Sequence, residues 1–227
     1  MGNKPSGGEQ LRVAHRANDM NKAIPDQFET FGLESSNLIL GSVIAIIGRT
    51  LEPFDDDNLI PAFGFGDSVT GDKTVFNFNP DGSACKGFDE VLRRYEEIAP
   101  KIVLAGPTNF APIIYEAIRQ VKATRSYHIL VIIADGQVTN QKETAAAIVE
   151  ASKYALSIVV IGVGDGPWGL MEHYDDELPS RRFDNFQFVD FSRVMKLNRM
   201  KPDVGFATAA LMEIPEQFKI IRRLGYL

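Results

Sequence analysis

Cysteine is nearly absent from this chain, with Cys85 the single one in 227 residues. One thiol excludes a disulfide framework and fits a reducing compartment, so the expected location is the cytoplasm. Histidine is almost as scarce, and His15, His128 and His173 are widely separated. These residues cannot build a two-zinc RING-type module, and a single zinc site would have to gather its ligands from distant places. The HExxH and GxSxG patterns are both missing. No apolar run approaches the roughly 20 residues that a membrane-spanning helix needs. Lys and Arg number 24 against 30 Asp and Glu, for a net charge of -6, and they are scattered along the chain. Without a basic stripe, a nucleic-acid interface is excluded.

What is present is an ordinary globular composition, 44% hydrophobic and 24% charged. Residues 1–30 are polar and lack a clear period, which predicts a disordered tail, with one domain over 31–227. The tail opens "MGNKPS", and Gly2 with Ser6 fits the N-myristoylation pattern. A single acyl chain holds a membrane only marginally, and Lys4, Arg12 and Arg16 supply a thin second signal. The expectation is therefore a weak association with the plasma membrane through the N-terminus.

From there the chain alternates strand and helix signals. Asn37–Leu40 reads as a short strand and Val43 to Phe54 as a helix ending at Pro53. "LIPAFGF" (Leu59–Phe65) reads as a strand made irregular by Pro61, and Thr74–Phe78 as part of a short hairpin. Helical spacing predicts Phe88–Ile98, Pro107–Lys122 and Gln141–Tyr154. "HILVIIA" (His128–Ala134) and "SIVVIGV" (Ser157–Val163) are apolar at consecutive positions, the habit of parallel strands buried on both faces. Phe186–Phe191 is a weaker strand, and Val204–Arg223 a long helix interrupted at Pro215. This order predicts an α/β fold with a doubly wound, mostly parallel sheet flanked by helices.

Open parallel sheets bind ligands beyond the carboxyl ends of their strands. Asp135 follows one such end, Asp165 another, and Asp67 in "GFGD" a third. The loop "AGPTNFAP" (residues 105–112) leads into a helix, so Thr108 is expected to face Asp135. Taken singly, each residue suits a plain turn or a helix cap. Together, a carboxylate and a hydroxyl over a sheet edge suit a hard divalent cation. Asn109, Phe110, Asp165 and Trp168 border the same edge and are candidate partner contacts, the two aromatics as anchors.

The stretches "LESSNLIL", "NLIPAFGFGD", "LAGPTNFAPII", "HILVIIADGQVT", "LSIVVIGVGDGPW", "FDNFQFVDF" and "ALMEIPEQFKII" resemble von Willebrand factor A domains, specifically the copine and plant RING-ligase branch. The resemblance covers nearly everything from Leu33 onward. It implies a metal-ion-dependent adhesion site that holds magnesium or manganese, with Thr108 as the second-loop threonine and Asp135 as the third-loop aspartate. In integrin-type relatives an acidic residue of the partner protein completes the metal shell. The resemblance also implies a first loop of pattern Asp-x-Ser/Thr-x-Ser, and here the chain departs from it. Leu40 passes through Gly41-Ser42 straight into a helix, so Ser42 alone is placed to give an oxygen. Either the native protein carries a longer segment there, or the site is degenerate. One carboxylate offsets little of the dehydration of Mg2+ or Mn2+, so only weak binding is expected.

Rival chemistries are poorly served. "GVGDGPWG" (residues 162–169) imitates a dinucleotide fingerprint, but it follows a late strand and Pro167-Trp168 crowd the turn. A phosphoryl-transfer site on Asp135 or Asp165 lacks a Lys or a second Asp at a useful spacing. The function expected is protein–protein recognition at the carboxyl edge of the sheet, without enzymatic activity. The alternatives are a portion of a ubiquitin ligase whose RING finger lies outside this chain, or a magnesium-dependent adhesion domain if the native first loop is longer. The ~30-residue tail is too short for the C2 domains that copines place in front.

Overall fold

A computed structural model describes residues 33–52, 55, 57–103, 107–136 and 138–227. The predicted tail over 1–30, with Gly2, Lys4, Arg12 and Arg16, lies outside these residues. The described chain divides into two compact units, a smaller one of residues 33–63 and 77–102 and a larger one of 64–76 and 103–227.

The smaller unit opens with helix α1 (Leu33–Leu51). A strand over Asn37–Leu40 is therefore corrected: the structure runs one helix through it and through Gly41. The apolar run within it, Leu38–Leu40, is three residues long and fits a strand and a buried helix segment equally well by periodicity. Here the helix continues through Val43, Ile44, Ile46 and Ile47, all buried, and packs on α2 (Gly87–Ile98). That burial outweighs the roughly 1 kcal/mol that a helical glycine costs relative to alanine. Four strands of two residues each follow α1: β1 (Leu59–Ile60), β2 (Phe63–Gly64), β3 (Phe76–Asn77) and β4 (Cys85–Lys86). The continuous strand expected over Leu59–Phe65 breaks after Ile60 because Pro61 has no N–H to extend the ladder. β1 pairs antiparallel with β4, Ile60 opposite Cys85. Helix α2 buries Phe88, Val91 and Tyr95, part of the face that its spacing predicts, and Arg94 ties it to the Phe78 carbonyl through Nε at 3.0 Å.

The larger unit carries the sheet. Its elements are α3 (Ala111–Thr124), β5 (His128–Ala134), α4 (Gln141–Ala151), β6 (Leu156–Gly162), α5 (Gly169–Asp176), β7 (Phe186–Asp190), α6 (Phe191–Leu197), α7 (Pro202–Leu211) and α8 (Ile214–Arg223). β5, β6 and β7 lie side by side in that order, all parallel, with Ile132 opposite Val160 and Val160 opposite Phe188. β6 is buried at every position, as a central strand of continuous apolar sequence must be. Helix α3 packs on β5 and β6, α6 on β6 and β7, and α5 and α7 on β7. The fold class is α/β with a parallel sheet flanked by helices, as the alternation predicts.

The helices α5 and α6 are absent from the sequence reading. Eight and seven residues long, they are too short to show a period. The long terminal helix is two helices, with Pro215 in the first turn of α8 where its missing N–H is harmless.

Candidate functional site

The parallel strands set the site by where they end. Val163 N–H donates to the Ala134 carbonyl at 2.8 Å, so the loops leaving β5 and β6 stay together beyond the sheet. Asp135 is half-buried at the first of these ends, and Asp165 is exposed in the second loop. Gly164 between them has φ +100, a conformation that L side chains rarely adopt, and a Cβ there would meet the Asp135 carbonyl at 3.9 Å. At the third end Asp190 caps α6, its carboxylate accepting from Arg193 N–H at 3.0 Å.

The Thr108 loop joins this edge. Its carbonyl accepts three hydrogen bonds, from Thr139 N–H at 3.0 Å, Asn140 N–H at 3.2 Å and the Thr139 hydroxyl at 3.2 Å. The segment following Asp135 is therefore fastened to the segment carrying Thr108. The structure brings the two loops together, with Thr108 half-buried.

Asn109 fastens a further segment. Its Nδ2 donates to the Asp72 carbonyl at 3.0 Å and to a Glu143 carboxylate oxygen at 2.8 Å. Its Oδ1 accepts from Ala111 N–H at 3.0 Å and from the buried Thr144 hydroxyl at 3.4 Å. Asn109 is 3% exposed, so this amide is an internal tie between the turn at residue 72, the start of α3 and the first turn of α4. That turn is itself braced by Asp67, whose carboxylate accepts from the Thr70 N–H at 2.8 Å and from the Thr70 hydroxyl. Glu143 and Thr144 went unnoticed in the sequence. Asn140 and Glu143 carry the spacing of a capping box, a signal that points to a local cap. The Glu143 side chain turns to Asn109, and Asn140 makes no side-chain cap.

The two aromatic candidates are core residues. Phe110 is wholly buried and stands edge-on to Phe65, ring centroids 6.1 Å apart. Trp168 is buried against Phe188 at 5.5 Å, and Gly162 leaves room for it: a Cβ there would lie 2.9 Å from the indole. Rings packed this way shape the edge from beneath and present no face to a partner. Ser42 falls inside α1, in the smaller unit, where its backbone is helical. The reason for choosing it, a position just past a strand end, disappears with the strand.

The donor set does not match a resident magnesium ion. Six near-octahedral oxygens with carboxylate charge are needed. This edge offers the Thr108 hydroxyl and the Asp135 carboxylate, and among the described residues no group of three or more His, Cys, Asp or Glu is placed to hold a metal. Cys85 and Asp175, both outside this edge, have displaced titration. Burial pushes the Cys85 thiol up to about 11, helped by the charge of Glu90. Burial also lifts Asp175 to about 7, against the pull of the Phe188 N–H that donates to it at 3.2 Å.

The family profile described as Copine matches residues 35–227. E3 ubiquitin-protein ligase RGLG1 of Arabidopsis thaliana is 47% identical over 242 aligned positions, which take in 86% of this chain and 50% of that protein. E3 ubiquitin-protein ligase RGLG4, also of Arabidopsis thaliana, is 44% identical over 276 positions, 96% of this chain and 69% of that protein. Copine family protein 2 of Caenorhabditis elegans is 54% identical over 188 positions, 82% of this chain and 2% of that protein. The chain spans about half the length of the first of these relatives. In the alignments to both ligases the aligned positions outnumber the residues this chain supplies, so those relatives carry residues that it lacks.

Proposed function

The chain belongs to the copine family and is of the copine/RGLG type, and from that premise we propose that its larger unit recognises a partner protein at the carboxyl edge of the sheet. The observation that carries this reading is the fastening of the Thr108 loop to the chain after Asp135 through one carbonyl. Loops held in this way keep one shape before a partner arrives, which lowers the ordering cost of binding. The exposed carboxylate of Asp165 and the half-buried Asp135 give the edge negative charge, so the partner face is basic or polar.

Relatives named as E3 ubiquitin-protein ligases support a role for such a module beside ubiquitin transfer. In that setting this domain selects the partner and leaves the transfer to other parts of the protein. A ligase that carries ubiquitin on a thioester needs an accessible thiolate. Cys85 is buried with its thiol pushed up to about 11, so it is protonated at neutral pH.

The metal site is degenerate in this reading. Thr108 and Asp135 would be its remaining ligands, too few to hold a resident ion. Calorimetric titration with Mg2+ and Mn2+ is expected to give a Kd weaker than about 1 mM. Pull-down with the immobilised chain, followed by Asp135→Ala and Asp165→Ala, tests the edge. Each substitution is expected to weaken capture at least fivefold with the melting temperature within a few degrees of the parent. Capture unchanged by both would sink the proposal, and turnover of a small substrate that dies with Asp135→Ala would replace it by an enzymatic one.

A further inference from the structure

The chain as a whole is acidic, yet one turn is not. From Arg193 to Lys201 the sequence reads "RVMKLNRMK", with Arg193, Lys196, Arg199 and Lys201 and no acid. This is the end of α6 and the turn into α7. All four cations are exposed, and none forms a salt bridge among the described residues. The next acid, Asp203, is half-buried in the first turn of α7. Between the cations stand large apolar side chains: Leu197 is 74% exposed, Met200 95% and Val204 59%.

The turn is well braced. Asn198 N–H donates to the Val194 carbonyl at 3.1 Å, and its side-chain amide donates to the same carbonyl at 2.9 Å. Lys201 N–H donates to Asn198 O at 2.9 Å and Gly205 N–H to Lys201 O at 3.0 Å. Gly205 lets Asn198 seat against α7, since a Cβ there would collide with the amide. Phe191 meets Phe206 edge-on at 5.7 Å and locks the two helices. Exposure so high on a braced turn means these side chains project away from their own unit.

We propose that the α6–α7 turn is a docking surface for an anionic lipid bilayer. Apolar side chains flanked by Lys and Arg match the boundary between headgroups and acyl chains, the cations meeting lipid phosphates and carboxylates while Leu197 and Met200 enter the acyl boundary. Among the described residues no helix is long and apolar enough to cross a membrane, so the contact is a surface one. Each Lys or Arg near such a surface contributes roughly fivefold in partition, which makes four of them sufficient for weak, reversible attachment.

The test is co-sedimentation of the full unacylated chain with phosphatidylcholine vesicles containing or lacking phosphatidylserine. The chain is expected to bind the phosphatidylserine vesicles, release in 0.5 M salt and ignore the neutral ones. Arg199→Glu with Lys201→Glu is expected to weaken partition more than tenfold, and Met200→Ser about fivefold. Arg222→Glu with Arg223→Glu, equal in charge and at the exposed end of α8, is expected to leave it within twofold. Circular dichroism on each variant confirms folding, which exposed positions leave intact. Equal losses from both double variants, or no preference for phosphatidylserine, overturn the proposal. It is likewise overturned if the turn variants spare vesicle binding but abolish capture of a poly-glutamate peptide, or if Met200→Ser converts a dimer to a monomer by sedimentation.

Discussion

The sheet of the larger unit and the loops above it are held by opposite means. β6 is buried at every residue and joined on both sides by strands of apolar sequence. The edge above it is polar and is held by a few hydrogen bonds that converge on Thr108 and Asn109. The sheet is stabilised by area, spread over many side chains. The edge is stabilised by points, each of which carries several contacts. A substitution in the sheet therefore acts in proportion to the volume lost, and one at the edge in proportion to the number of ties cut.

The largest expected effect lies in the sheet. Phe186 is wholly buried in β7 and meets Tyr174 edge-on at 6.0 Å. Phe186→Ala is expected to lower stability by about 3–5 kcal/mol, read as an earlier urea midpoint of Trp168 fluorescence. A loss below about 1 kcal/mol would break the picture of a close-packed layer. Next comes the edge. Asn109→Ala leaves the Thr144 hydroxyl and the Ala111 N–H without their acceptor and is expected to cost about 2–3 kcal/mol. It should also weaken partner capture more than Asp165→Ala does, because it loosens the segment that leads to residue 108. Equal capture by the two variants would show that the edge does not depend on that tie.

The smallest effect sharpens the contrast with a carboxylate set against the sheet. Asp175 accepts from Phe188 N–H, burial raises it to about 7, and the negative charges of Glu213, Asp184 and Asp176 push the same way. The folded state then holds a proton that the unfolded chain releases near its ordinary value of 3.8, so stability falls as pH rises from about 4 to about 7. Burial raises Asp184 and Glu213 as well, which adds to the same slope. Asp175→Asn keeps an acceptor for Phe188 and is expected to flatten the slope. At pH 8 it should stabilise by of order 1 kcal/mol, after allowance for the partial exposure of the group. Urea midpoints at pH 5 and pH 8 measure it, and a parent protein more stable at pH 8 than at pH 5 would contradict the assignment.

The sheet was legible in the sequence because its signal is long. His128–Ala134 matches β5 residue for residue, since the six consecutive apolar positions from Ile129 to Ala134 leave few other uses. The strand reading of Asn37–Leu40 failed because three apolar residues suit either element, and packing on α2 decided for a helix. That the loops of Thr108 and Asp135 share one edge followed from topology, since parallel strands all end on one side. The work of Asn109 was hidden, because Asp72 and Glu143 lie 37 and 34 residues from it and no local pattern records such a tie. Phe110 and Trp168 were misjudged as anchors for a similar reason, as an aromatic beside a loop has the same sequence signature whether it points up or down.

Those long reaches have a consequence for how the chain acquires its shape. Bonds that join positions more than thirty residues apart cannot form until the intervening chain has been gathered in. The loops at the strand ends thus have no order of their own and receive it last, from a sheet already assembled beneath them. A partner that meets those loops is greeted by a finished fold, and a half-made chain offers it nothing to hold.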